Sequence, residues 1–114
     1  MSRRVEKPWG HEEIWAETDR YVGKILNINA GCRLSLQHHE VKDETIRILS
    51  GEMKFELEDG EGVVRTHRLT PGMAARIAPG KKHRMEAITD VSVLEVSTPE
   101  IEDVVRHEDD YGRS

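Results

Sequence analysis

The sequence predicts an all-β domain, a barrel or sandwich of many short strands, and three observations predict it. Apolar and polar residues alternate through Met53-Lys54-Phe55-Glu56-Leu57-Glu58, the two-residue period of a half-buried strand. Turn-forming clusters recur at short intervals, as Asn29-Ala30-Gly31, Ser50-Gly51, Pro71-Gly72, Pro79-Gly80 and Thr89-Asp90. No long stretch carries the 3.6-residue period of an amphipathic helix.

Between those turns, the strands expected in chain order span 22–29, 33–39, 44–49, 53–58, 63–69, 74–78, 84–88 and 91–98. Residues before 22 carry no assigned strand. The acidic run Glu58-Asp59-Gly60-Glu61-Gly62 is expected to be a hairpin loop, because glycine and aspartate supply the turn conformations a reversal needs. Thr98-Pro99-Glu100 can start a helical turn, so one is expected around 100–106.

A chain of 114 residues is the size of one domain, assigned here to residues 1–114. The net charge of −5 argues against a nucleic-acid or anionic-membrane partner, which needs a dominant basic face. Aromatic residues make up 4% of the chain, too few for base-stacking platforms. A local basic cluster, Lys81, Lys82 and Arg84, suits only a small anionic ligand. The lone Cys32 excludes an internal disulfide and suits a reducing cytoplasm, where a small half-buried apolar role is expected of it. No signal-like segment or long apolar run is present, so the expected location is cytoplasmic.

Chemistry concentrates in residues 31–51: Gly31, five residues, Gln37-His38-His39, four residues, Glu44, six residues, Gly51. On a strand Gln37 and His39 share a face and His38 takes the other, while Glu44 opens the next strand after a short turn. A second segment runs from Gly72 to Pro79-Gly80, two lysines and His83, and can bring a fourth donor from across a barrel. Amide oxygen, imidazole and carboxylate together suit a borderline divalent ion: zinc first, with manganese, iron, cobalt or nickel as alternatives. The bland reading of Gln37, His39, Glu44 and His83 is a polar lining that holds water.

These two segments resemble the paired motifs of the cupin superfamily, G-x5-H-x-H-x3,4-E-x6-G and G-x5-P-x-G-x2-H-x3-N. Gln37 stands where the first histidine belongs; Ala78 and Ala87 replace the proline and asparagine of the second motif. Glutamine there is similar to the type II mannose-6-phosphate isomerase branch, often fused behind a sugar-phosphate nucleotidyltransferase. Lys7-Pro8-Trp9-Gly10, Arg33-Leu34-Ser35-Leu36-Gln37 and the tail Glu102–Arg113 also resemble that branch, extending the likeness over residues 7–113. The resemblance implies a double-stranded β-helix, or jelly-roll, with a metal inside. No GxGxRL nucleotide loop accompanies it in this sequence.

The activity implied is a metal-dependent aldose–ketose isomerase acting on a sugar phosphate, with the metal polarising the open-chain sugar and a base moving a proton between the first two carbons. Glu95 is the candidate base. Arg33 and Ser35, which alternation sets on the face of Gln37, are candidates to bind substrate, with Lys24 and Arg84. For Arg33 the competing expectation is a salt bridge to an acidic neighbour. His11, His67 and His107 have no partner at ligand spacing, and Trp9 and Trp15 suit packing or dimer contacts. A homodimer is expected because jelly-roll sheets leave edges to cover. The alternatives are a sugar- or metabolite-binding cupin without turnover, and another metal enzyme such as an oxygenase or lyase.

Overall fold

A computed structural model describes residues 2–113, which form strands β1 (Arg3–Lys7), β2 (Gly10–Glu17), β3 (Val22–Ile28), β4 (Leu36–His38), β5 (Glu44–Ser50), β6 (Met53–Glu58), β7 (Val64–Leu69), β8 (Ala74–Ile77), β9 (His83–Ala87), β10 (Val91–Ser97) and β11 (Val105–Glu108). No helix occurs among the described residues. One sheet has the order β1-β2-β3-β10-β5-β8 and the other β11-β4-β9-β6-β7. From β3 to β11 successive strands change sheet, except at the β6–β7 hairpin. That winding is a double-stranded β-helix, the jelly-roll expected from the sequence.

The strands expected from 22 onward form, most within a residue or two of their predicted ends. The 33–39 strand is cut to Leu36–His38, with Arg33 making only an isolated bridge to Glu86. Strands β1, β2 and β11 were not expected. β1 and β11 are edge strands with one neighbour each and few buried side chains, so alternation is nearly absent from them. In β2 the inward position next to Ile14 is Glu12, a charge where an apolar residue would have signalled a strand. No helix forms over 100–106; a tight turn at Ile101–Glu102 leads directly into β11. The acidic hairpin loop forms as expected, with Asp59 Oδ1 accepting the N–H groups of Glu61 at 2.8 Å and Val63 at 3.0 Å.

The space between the sheets is divided by polarity. Inward rows begin apolar and end charged: Ile28 and Leu26 then Lys24 on β3, Ile48 and Ile46 then Glu44 on β5. β9 gives Ala87 and Met85 then His83, and β10 gives Val91 and Val93 then Glu95. Phe55, Met53, Leu34, Leu69, Ile77 and Trp9 complete the apolar end. Period-two burial therefore supplies the core and, at the other end of the same strands, a polar cavity.

The β5–β6 turn depends on Gly51. Its φ is +82° and a Cβ there would lie 2.1 Å from the Asp90 carbonyl oxygen. Gly51→Ala is expected to lower stability by about 2 kcal/mol or more, since left-handed strain and a backbone clash add. Urea unfolding of the variant beside the parent checks it.

Candidate metal centre

Gln37 on β4 lies directly opposite His83 on β9. His39 follows β4, and Glu44 begins β5 in the facing sheet. The Pro79-Gly80 turn is pinned to this end: Gly80, at φ +83°, donates its N–H to the His39 carbonyl at 2.6 Å. A positive φ at this position is where glycine meets no steric cost.

The imidazoles are oriented by backbone carbonyls. His39 Nδ1 bonds the Asp103 carbonyl, and His83 Nδ1 bonds the Lys81 carbonyl at 3.0 Å. A carbonyl only accepts, so each Nδ1 carries the hydrogen and each Nε2 is turned inward. Glu44 Oε1 lies 3.4 Å from His39 Nε2 and 3.3 Å from His83 Nε2. The three donor atoms lie within 4.8 Å of one another, and His39 Nε2 is buried with no hydrogen-bond partner. Donors bound at ~2.1 Å in a tetrahedral site stand about 3.4 Å apart. The set fits a divalent cation in both chemistry and spacing.

Gln37 is close but turned. Its Oε1 accepts from Ser35 Oγ at 2.6 Å, and its Nε2 sits 3.5 Å from His83 Nε2. Half a turn of the amide would exchange oxygen and nitrogen and present a ligand atom to the cluster. His38 takes the outer face as alternation requires, where Nδ1 meets His107 Nε2 at 2.7 Å and Nε2 meets Glu40 at 2.9 Å.

Buried charges surround the donors. Lys42 Nζ is 2.9 Å from Glu44 Oε2 and 3.3 Å from Glu95 Oε2, and Lys24 Nζ is 3.5 Å from Glu12 Oε2. Burial opposes ionisation of Glu44, but hydrogen bonds from His39 and His83, given only when those rings carry a second proton, and the Lys42 charge outweigh it and hold its pKa below the usual carboxylate range. Burial, then the Glu44 charge, pushes Glu95 up to about 7 against the pull of Lys42 and Lys24. Burial also works against the Lys42 charge, yet Glu95 and Glu44 raise that ammonium to about 12. These groups line one cavity of about 90 Å³, together with apolar Trp9, Leu26 and Met85 and half-buried Lys7, Arg106 and Arg113.

The structure thus gathers Gln37, His39, Glu44, His83, Lys24 and Glu95 around one cavity. Arg33 and Arg84 do not line it. Arg33 lies where the strand has broken, and alternation fails to turn it inward; its guanidinium pairs with Asp110 at 2.6 and 2.9 Å. The salt bridge weighed for Arg33 is the one that forms. Arg84 neighbours His83 on a strand and so takes the opposite face. Its Nε donates to the Leu34 carbonyl at 2.8 Å, and its other nitrogens approach Glu108 at 3.2 Å and Asp110 at 3.5 Å. Ser35 is buried outside the cavity lining and reaches it only through Gln37. Lys42, Glu12 and Lys7 escaped the sequence reading, because a loop lysine and charges in an unassigned hairpin give no periodic signal.

The family described as "Cupin domain" matches residues 24–97. Among curated proteins, the xanthan biosynthesis protein XanB of Xanthomonas campestris pv. campestris is 31% identical, over 98% of this chain and 24% of that protein. Mannose-1-phosphate guanylyltransferase 2 of Escherichia coli O157:H7 is 28% identical, over 96% of this chain and 23% of that protein. The chain therefore spans about a quarter of the length of these relatives. Among solved structures, KdgF from Halomonas sp. superposes with a TM-score of 0.77 at 22% identity, covering 89% of this chain and 91% of that one.

Removing Lys42 tests the buried charge cluster. Lys42→Met leaves Glu44 and Glu95 facing each other, with an expected cost of about 3–5 kcal/mol in urea unfolding with chelator present. Adding Glu95→Gln is expected to return part of that loss.

Proposed function

Because the chain belongs to the cupin domain family, we propose that it holds a divalent metal on His39, Glu44 and His83, with Gln37 beside them, and isomerises a sugar phosphate between aldose and ketose forms. The carrying observation is the pair of inward-facing Nε2 atoms that share Glu44 Oε1. Zinc leads by donor type, with manganese, iron, cobalt or nickel also compatible. One relative is a mannose-1-phosphate guanylyltransferase, and with the resemblance to type II mannose-6-phosphate isomerases it favours mannose 6-phosphate and fructose 6-phosphate as the pair.

When bound, the metal supplies Lewis acidity toward the carbonyl and adjacent hydroxyl oxygens of the open-chain sugar. In this reading Glu95 carries the proton between the first two carbons, being the buried cavity carboxylate that is neither a metal donor nor paired to Lys24 as Glu12 is. Lys42 keeps Glu95 and Glu44 apart in charge and in position. The apolar wall of Trp9, Leu26 and Met85 excludes water from the reacting carbons. The phosphate is held by Lys7 and Arg106, cations that line the same cavity, while Arg113 beside them is already paired with Asp109 at 2.9 Å. Lys7 and Arg106 replace Arg33 and Arg84 in that role.

The second reading, a metabolite-binding cupin without turnover, is favoured by one observation. The candidate base, Glu95, is already engaged by Lys42 at 3.3 Å, which suits a charge that orients a ligand as well as one that moves a proton.

Protein loaded with zinc or manganese is expected to interconvert mannose 6-phosphate and fructose 6-phosphate in a coupled assay. The His39→Ala/His83→Ala double variant is expected to lose both turnover and bound metal by elemental analysis. Equal metal in the two proteins would overturn the site assignment; metal without turnover in the parent would leave the second reading. Lys7→Met is expected to raise KM about tenfold with little change in kcat, the signature of lost binding to a charged group.

A further inference from the structure

We infer that Asp103 is the positioning residue of the metal centre, fixing both the tautomer of His39 and the path of the loop that joins His39 to Glu44. This rests on the metal reading above for its consequence, and on the following geometry for its cause.

The two imidazoles are oriented by different means. His83 Nδ1 finds its carbonyl two residues away, at Lys81 on the approach to its own strand. His39 Nδ1 finds its carbonyl at Asp103, in the segment between β10 and β11 and sixty-four residues on in sequence. One donor is therefore set locally and the other by a distant piece of chain. If that piece shifts, the His39 hydrogen is free to move to Nε2, which removes the inward lone pair a metal needs.

The side chain of Asp103 holds that carbonyl in place. Its carboxylate accepts the backbone N–H groups of Glu40 at 3.1 Å, Val41 at 2.8 Å and Lys42 at 3.0 Å. Thr98 continues the pattern, its Oγ1 accepting the Asp43 N–H at 3.0 Å and its own N–H bonding the Asp43 carbonyl at 3.0 Å. Every amide from Glu40 to Asp43 thus bonds to the 98–103 segment. These four residues are the whole connection between His39 and Glu44. Consecutive amides turned toward one carboxylate tie that connection to a single conformation, which also sets Lys42 against Glu44 and Glu95. Asp103 touches no proposed substrate position, so its part is to aim other groups.

The test uses Asp103→Ala and Asp103→Asn in the full chain, with Asp110→Ala as comparison. Asp110 ties the far end of the same C-terminal segment to Arg33 and makes no bond to the His39–Glu44 loop. Zinc affinity is measured by chelator competition, and the His39 ring tautomer by nitrogen-15 shifts in metal-free protein. Asp103→Ala is expected to weaken zinc about 10–100-fold, the range for losing a group that orients a ligand. It should also convert His39 from the Nδ1–H form to a mixture of tautomers. Asp103→Asn keeps one acceptor oxygen and should fall between, deciding the matter if the alanine variant does not fold. Asp110→Ala should leave both readouts unchanged. Parental affinity and tautomer in both Asp103 variants would overturn the inference, as would an equal loss in Asp110→Ala. A parent protein that binds no zinc sinks the metal reading, while the tautomer readout still decides the role of Asp103.

Discussion

A carboxylate withdrawn from water governs one end of this barrel. Glu44 is 2% exposed, and an isolated ionised carboxylate in such surroundings would neutralise or unfold its environment. Everything around it answers that constraint. Two imidazoles face one oxygen, an ammonium faces the other, and that ammonium is shared with a second buried carboxylate. Among the buried cavity groups, Lys24 and Lys42 stand against Glu12, Glu44 and Glu95, and burial answers the third carboxylate by lifting Glu95 to about 7. The polar end is therefore held by shared charges, whereas the apolar end is held by packing alone.

The donors were legible because their signal is local. Two residues of a strand separated by one share a face, so Gln37 and His39 could be set together and His38 set outside from spacing alone. His83 and Glu44 followed from glycine turns at fixed distances. Arg33 was misread because alternation holds only while the strand continues, and here it begins at Leu36. β1, β2 and β11 were invisible because edges and buried charges erase the contrast that alternation needs. Lys42 is the hardest case. A lysine in a loop looks like solvent-facing charge, and only the folded path of residues 40–43 drives it inward.

The acidic tail also changes meaning once folded. In the sequence it carries only a resemblance; in the structure Asp103, Glu108, Asp109 and Asp110 each bond a named partner. Arg33 and Arg84 serve this tail instead of a ligand, so the charges that looked functional hold the chain together. The tail in turn contributes Val104 and Arg106 to the cavity wall. Structure and site draw on the same ion pairs from opposite directions.

The winding of strands between two sheets has a mechanical corollary. Gln37 and His83 belong to one layer and Glu44 to the other. An ion gripped by all of them is a clasp across the sandwich, fastening layers that are otherwise held by side-chain packing. Prising the layers apart by heat or pressure would loosen the clasp, and filling the clasp would oppose the prising. Two segments far apart in sequence would then be joined much as a covalent crosslink joins them, though reversibly and under the control of the surrounding solution.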